Sequence, residues 1–170
     1  MGDLGPAAVE AIMKWASLLG WLLLCYAVAA LGGWWTSAEL RDWYLSLKRP
    51  RIAPPNWVFG PVWSTLYTLM AIAVWQIGLL PPTPLRNKAL LLFFVQLVLD
   101  MLWTWLFFRE HDIGNALAGV FLLWIAIGAE TVIFWRMQQS AAWLMAPYWA
   151  WVSFAAVLNF EYWRLNPNSD

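Results

Sequence analysis

Apolar residues run along this chain in long blocks, and the polar residues cluster between them. A membrane-spanning helix needs about 20 mostly apolar residues. Five blocks meet that length: residues 15–33, 57–80, 85–108, 113–137 and 141–165. Pro61 falls in the first turn of the second block, where a missing N–H costs little. Pro81, Pro82 and Pro84 then end that block. The connectors after the second, third and fourth blocks are short, so those helices are expected to pack as antiparallel neighbours. The first connector, residues 34–56, is long. Ser37 followed by Glu39 has the cap and early acid of a short helix start within it. The expected fold is an all-α membrane protein. It is one membrane domain over residues 1–170, a five-transmembrane-helix bundle with a long structured first loop.

Composition strengthens this picture. Of 170 residues, 62% are hydrophobic and 12% charged, against roughly 45–50% and about 25% in soluble domains. Mean hydropathy is +0.59. The partner of most of the surface is therefore a lipid bilayer. The formal net charge is zero, so a nucleic-acid partner has no electrostatic footprint. Cys25 and His111 each stand alone. That excludes an intramolecular disulfide and bis-His haem ligation within one chain, and argues against a zinc site. The start of the chain carries Asp3 and Glu10 and lacks a basic leader, so the first apolar run is expected to be retained as a membrane helix.

Five spans put the two termini on opposite sides. Arg41, Lys48, Arg49, Arg51, Arg109 and Arg164 fall on one side, and Lys14, Arg86, Lys88 and Arg136 on the other. The positive-inside rule places the long connector and the C-terminus in the cytoplasm.

Sixteen tryptophans need explaining. Trp15, Trp34, Trp35, Trp57, Trp75 and Trp163 sit near span ends, where indoles anchor at the interface. Trp63, Trp103 and Trp151 lie about two turns inside one side, close enough to gather around a flat aromatic ligand; core packing is the alternative. Gln96 and Asp100 share a helix face with Trp103 and Thr104. Asp100 reads either as a polar anchor in a ligand cavity or as an interhelical hydrogen-bonding acid. Glu130 favours the interhelical reading. Asn159 and Asn166 are polar near the last helix end, and Asn159 is placed to bond across helices. Leu158, Tyr162 and Arg164 fit a loose sterol-contact pattern. No acid–base dyad or activated nucleophile is apparent.

The connector and the helices after it carry a family likeness. WY-x-x-L-x-x-P-x-x-x-PP-x-W-x-x-x-P-x-W-x-x-LY-x-x-M begins at Trp43 and ends at Met70. QL-x-x-D-x-x-W-x-x-x-FF begins at Gln96, G-x-ALA at Gly114, and PY-x-x-W-x-x-x-A-x-x-LN at Pro147. In order and spacing these motifs resemble the translocator protein family, whose bacterial members are called tryptophan-rich sensory proteins. The resemblance implies a five-helix bundle, commonly a homodimer, in a bacterial or mitochondrial outer membrane. It implies a receptor or carrier that binds porphyrins such as protoporphyrin IX and haem as ligands, with no cofactor or metal required. Animal members also bind cholesterol and benzodiazepine-type drugs. The long connector would be a lid over the pocket.

Matched motif by motif, the ligand-binding positions fall on Phe59, Gly60, Val62 and Trp63 of the second helix, and on Asp100 and Trp103 of the third. The fourth helix contributes Asn115, Ala118 and Leu122, and the fifth Trp151, Ala155 and Leu158. If bound porphyrin is degraded in light, as in some bacterial members, Trp63 and Trp151 are the implicated tryptophans; otherwise there is no catalytic residue. Arg49, Arg51 or Arg109 would meet propionates at the mouth. The chain departs from the family pattern at Arg49, Ile52, Asp100 and Asn115. The sterol-motif tyrosine falls on Phe160, with Tyr162 half a turn later on a different face.

Overall fold

A computed structural model describes residues 5–39 and 43–167. The cationic Arg41 and the acidic Asp3 lie outside them. Five long helices are present: α1 (Pro6–Glu39), α2 (Phe59–Gly78), α3 (Pro84–Phe108), α4 (Ile113–Met137) and α5 (Gln139–Leu165). Single 3-10 turns at Tyr44–Ser46 and Asn56–Val58 punctuate the first connector. All five helices are long and apolar enough to cross a bilayer.

Local chemistry explains most boundaries. Thr83 caps α3, its hydroxyl accepting from the Arg86 N–H at 3.1 Å, with Pro84 opening the helix. Asp112 caps α4, accepting from the Asn115 N–H at 2.9 Å. The turn between α3 and α4 passes through His111 at φ 59°, in the left-handed region that non-glycine residues seldom adopt.

The largest departure from expectation is α1. It covers 34 residues, about 51 Å of helix against a hydrocarbon core of about 30 Å. It begins at Pro6 rather than residue 15, and it continues through Gly32 and Gly33 to Glu39. Ser37 therefore lies near the end of a long helix instead of starting a short one. Its hydroxyl donates back to the Trp34 carbonyl at 3.0 Å, as Thr36 does to Gly32 at 2.9 Å. Backbone groups in a bilayer must be satisfied within the segment. Glycine is common in such helices, so a glycine pair does not stop one there. The connector shortens accordingly.

The helices form a closed ring in the order α1, α2, α5, α4, α3, with α2 also touching α3 across the middle. Met70, Val74, Ile77, Phe93, Ile127, Phe134, Met145 and Val152 fill the interior. Leu23, Leu91, Val98 and Ile125 are exposed, on faces that lipid solvates. At one end Trp15 and Trp75 stack at 5.8 Å, and the Trp75 N–H donates to the Lys14 carbonyl at 3.1 Å. At the other end a second aromatic cluster joins the connector to α3 and α5.

Candidate functional site

A cavity of about 360 Å³ opens at the connector end, between α1, α2, α3 and α5. Each helix presents one stripe to it. From α2 come Phe59, Gly60, Trp63, Ser64 and Tyr67, and from α3 Trp103, Thr104, Phe107 and Phe108. From α5 come Trp151, Phe154, Ala155, Leu158, Asn159 and Tyr162, which share one face through three- and four-residue spacings. The small residues Ala29, Gly32, Gly33, Thr36 and Ser37 make the α1 wall. Gly33, Ser37, Gly60 and Ser64 line the cavity and are also exposed, so it opens sideways between α1 and α2. A Cβ added at Gly33 or Gly60 would meet nothing within 4 Å.

The connector closes the end of the cavity with Tyr44 and Asn56. Tyr44 is buried against Phe107, Phe108 and Tyr162, and its hydroxyl accepts from the Tyr162 hydroxyl at 2.8 Å. Burial pushes its phenol above the ordinary value, opposed by that hydrogen bond and by Arg49. Trp43 stacks on His111 at 4.2 Å. Asn166 pins the connector further, accepting from the Lys48 N–H at 2.8 Å and donating to its carbonyl at 3.2 Å. Arg49 donates to the Pro54 carbonyl at 2.6 Å, stapling the loop onto itself. Arg49, Arg51 and Arg109 are all outside the lining. The Asn56 side-chain oxygen is buried at the cavity edge with no protein partner.

Of the positions matched to the family pocket, Phe59, Gly60, Trp63, Trp103, Trp151, Ala155 and Leu158 meet around this cavity. Val62 does not line it and packs instead beside the interior cluster. Asp100 is buried one layer behind it, accepting a hydrogen bond from the Tyr67 hydroxyl. Asn115, Ala118 and Leu122 are exposed on α4, away from the cavity. They fall on the outward face of α4, whose inward stripe is Ile113, Ala116, Gly119, Val120 and Leu123. The Trp103 indole N–H donates to the Asn159 side-chain oxygen at 3.0 Å, and the Asn159 amide donates to the Ile113 carbonyl at 3.0 Å. This strut joins α3 to α5 and fastens α5 to the first residue of α4. Asn115 is occupied at the helix cap, its amide donating to Asp112 at 2.6 Å.

Of the sterol-pattern residues, Leu158 and Tyr162 face the cavity, whereas Arg164 pairs with Glu161 at 2.7 Å. Residue-type reasoning missed the α1 wall, because Gly32-Gly33 reads as an end. It also passed over Tyr67, Phe107 and Phe154, which sit three or four residues from Trp63, Trp103 and Trp151.

Among the described residues no group of three or more His, Cys, Asp or Glu is placed to hold a metal. His111 is not in the lining. The arrangement suits a flat apolar guest held by stacking and edge contacts, with a few hydroxyls and amides to orient it.

The sequence pattern that defines the TspO/MBR family matches residues 21–164. The chain belongs to that family. The TspO/MBR relatives span bacteria and mammals. The chain is 40% identical to Protein CrtK of Rhodobacter capsulatus over 126 residues, 74% of this chain and 79% of that one. It is 36% identical to the tryptophan-rich sensory protein of Cereibacter sphaeroides over 156 residues, covering 92% and 95%. Against the human translocator protein it is 34% identical over 159 residues, covering 89% and 91%. This is therefore an integral multi-pass membrane protein of the TspO/MBR family, whose relatives' names fit a broad receptor or transport role.

Proposed function

We propose that this TspO/MBR protein is a receptor or carrier that binds tetrapyrroles, protoporphyrin IX and haem among them, in the cavity between α1, α2, α3 and α5. The observation that carries the reading is the wall itself: Trp63, Trp103 and Trp151, with Phe59, Phe107 and Phe154, surround one apolar cavity. A planar macrocycle can stack on these rings while its polar edge leaves through the side opening at Gly33, Ser37, Gly60 and Ser64. Burying about 200 Å² of apolar surface contributes about 5 kcal/mol. Asn56 supplies an unmatched acceptor at the edge, and exposed Arg51 is a cation for a propionate.

Titration of the purified protein with protoporphyrin IX, read by tryptophan quenching, tests this. Ala155→Phe places a ring in the cavity and should weaken binding about tenfold or more, equivalent to about 1.4 kcal/mol. Trp63→Phe together with Trp151→Phe should weaken it too. Unchanged affinity in both variants would sink the site. A second reading, light-dependent breakdown of the bound porphyrin, draws on Trp63 and Trp151 lining the same cavity. The chemistry would come from the excited porphyrin. Loss of porphyrin absorbance on illumination, with turnover above one, would favour it; unchanged spectra would count against it.

A further inference from the structure

The bundle interior holds a second polar region, deeper than the cavity and separate from its lining. Gln96, Asp100 and Glu130 are all at most 1% exposed. Each keeps polar atoms without a protein partner: Gln96 Nε2, Asp100 Oδ1, and both Glu130 carboxyl oxygens. No lysine, arginine or histidine is buried among the described residues, so no ion pair offsets the two acids. Glu130, expected to bond across helices, finds no protein atom to bond.

Every helix contributes to this region. The Tyr148 hydroxyl of α5 donates to Gln96 of α3 at 3.0 Å. Tyr148 lies within electrostatic reach of Asp100, Tyr67, Glu130 and Cys25, and Cys25 of α1 within reach of Glu130 of α4. Tyr67 of α2 belongs to the cavity lining and bonds Asp100. The bonded polar side chains thus start at the cavity floor with Tyr67 and Asp100, continue one turn away on α3 with Gln96 and its partner Tyr148, and Glu130 sits on the inward stripe of α4 between Ile127 and Phe134.

Native interiors leave few polar groups unmatched. Four such atoms in one region call for small bridging molecules, and buried waters typically take two to four such partners each. An acid in a membrane interior is costly unless it faces a polar cavity, and it marks ion or proton paths. We propose that Asp100, Gln96, Tyr148 and Glu130 form a hydrated proton site in the bundle interior, with Tyr67 as its connection to the ligand cavity. The ligands are water and one exchangeable proton. Exchange balances along the chain: each hydroxyl or water takes one hydrogen from the cavity side and passes one on, and the same path returns another. The titratable groups within electrostatic reach of Glu130 are Cys25 of α1 and Tyr148 of α5. The proposal does not depend on which molecule the cavity binds.

Infrared spectroscopy of the full chain in bilayers, with carbon-13 glutamate, tests it. A glutamate-derived carboxylic C=O band should be present at neutral pH, vanish in Glu130→Gln, and shift on transfer to heavy water. The isotope assigns the band to glutamate even where the substitution disturbs folding. Tyr67→Phe and, separately, Asp100→Asn should slow that shift about tenfold, the rate equivalent of about 1.4 kcal/mol. Absence of the band overturns the proposal, as does its appearance only when sodium is replaced by choline, which would make Glu130 a cation ligand. A band that never shifts means a dry site and also overturns it. Exchange at the unmodified rate in both variants overturns the connection through Tyr67.

Discussion

Asn159→Leu tests whether the strut that ties α3, α4 and α5 together at the cavity wall is real. Leucine keeps the branched shape of asparagine, with bulkier methyl ends, but removes both hydrogen bonds, to the Trp103 indole at 3.0 Å and to the Ile113 carbonyl at 3.0 Å. In membrane proteins an interhelical hydrogen bond contributes about 0.6 kcal/mol on average, so two give about 1.2 kcal/mol. A donor left buried without a partner adds about 1–3 kcal/mol in a dry site. Trp103 lines the cavity, where its N–H can meet water, so the low end applies. The expected loss is about 1–2 kcal/mol. Reversible unfolding in mixed micelles would measure it. The cycle with Trp103→Phe separates the pair from the packing. Phenylalanine has no N–H to orphan, so the double variant should cost about 0.5–1 kcal/mol less than the sum of the singles. Stability within about 0.3 kcal/mol of the parent, or strict additivity, would refute the strut.

Three further outcomes rest on other contacts. Asp112→Ala should cost about 1 kcal/mol by removing the α4 cap, while leaving protoporphyrin titration unchanged, since Asn115 is bonded to that cap and lies outside the cavity. Asn166→Ala releases the Lys48 backbone from both of its bonds, and trypsin should then cut at Lys48 and Arg51 faster than in the parent. Burial raises the Tyr44 phenol in the folded protein. Its contribution to stability is therefore complete below the unfolded value of about 10 and lost as pH rises above it. Alkaline unfolding should show that loss, and Tyr44→Phe should reduce it.

Much of the fold is written in block length and punctuation. Thr83-Pro84 and Asp112 mark helix starts by chemistry that operates locally, and the short connectors correctly pair α3 with α4 and α4 with α5, whereas α2 and α3, also joined by a short connector, meet only across the middle of the ring. Both ends of α1 escape that kind of reading. Glu10 and Lys14 look like flanks, and Gly32-Gly33 looks like a stop, because soluble-protein rules let water take up backbone groups where a helix ends. Where lipid surrounds the chain the helix carries on instead, and the α1 wall of the cavity straddles the apparent end, with Ala29, Gly32 and Gly33 before it and Thr36 and Ser37 beyond it. No residue type announces that wall, because what it contributes is small size.

The α4 positions show a different limit. Asn115, Ala118 and Leu122 fall on the matched motif at the right spacing, yet spacing says only that residues share a helix, not which neighbour stands in front. That depends on which stripe of α4 packs inward, and Ile113, Ala116, Val120 and Leu123 do, leaving Asn115, Ala118 and Leu122 on the outer face. A long-range contact likewise decides Asp100. Its place four residues after Gln96 leaves a ligand anchor and an interhelical acid equally open. The Tyr67 hydroxyl, donated from α2, puts the acid behind the cavity wall rather than in it. A ligand touching Tyr67 would then act on Asp100 through one hydrogen bond, without reaching it. Residues that line the cavity and residues that respond to its occupant are separate sets in this bundle, and substitutions at Asp100 should change the second without removing stacking contacts from the first.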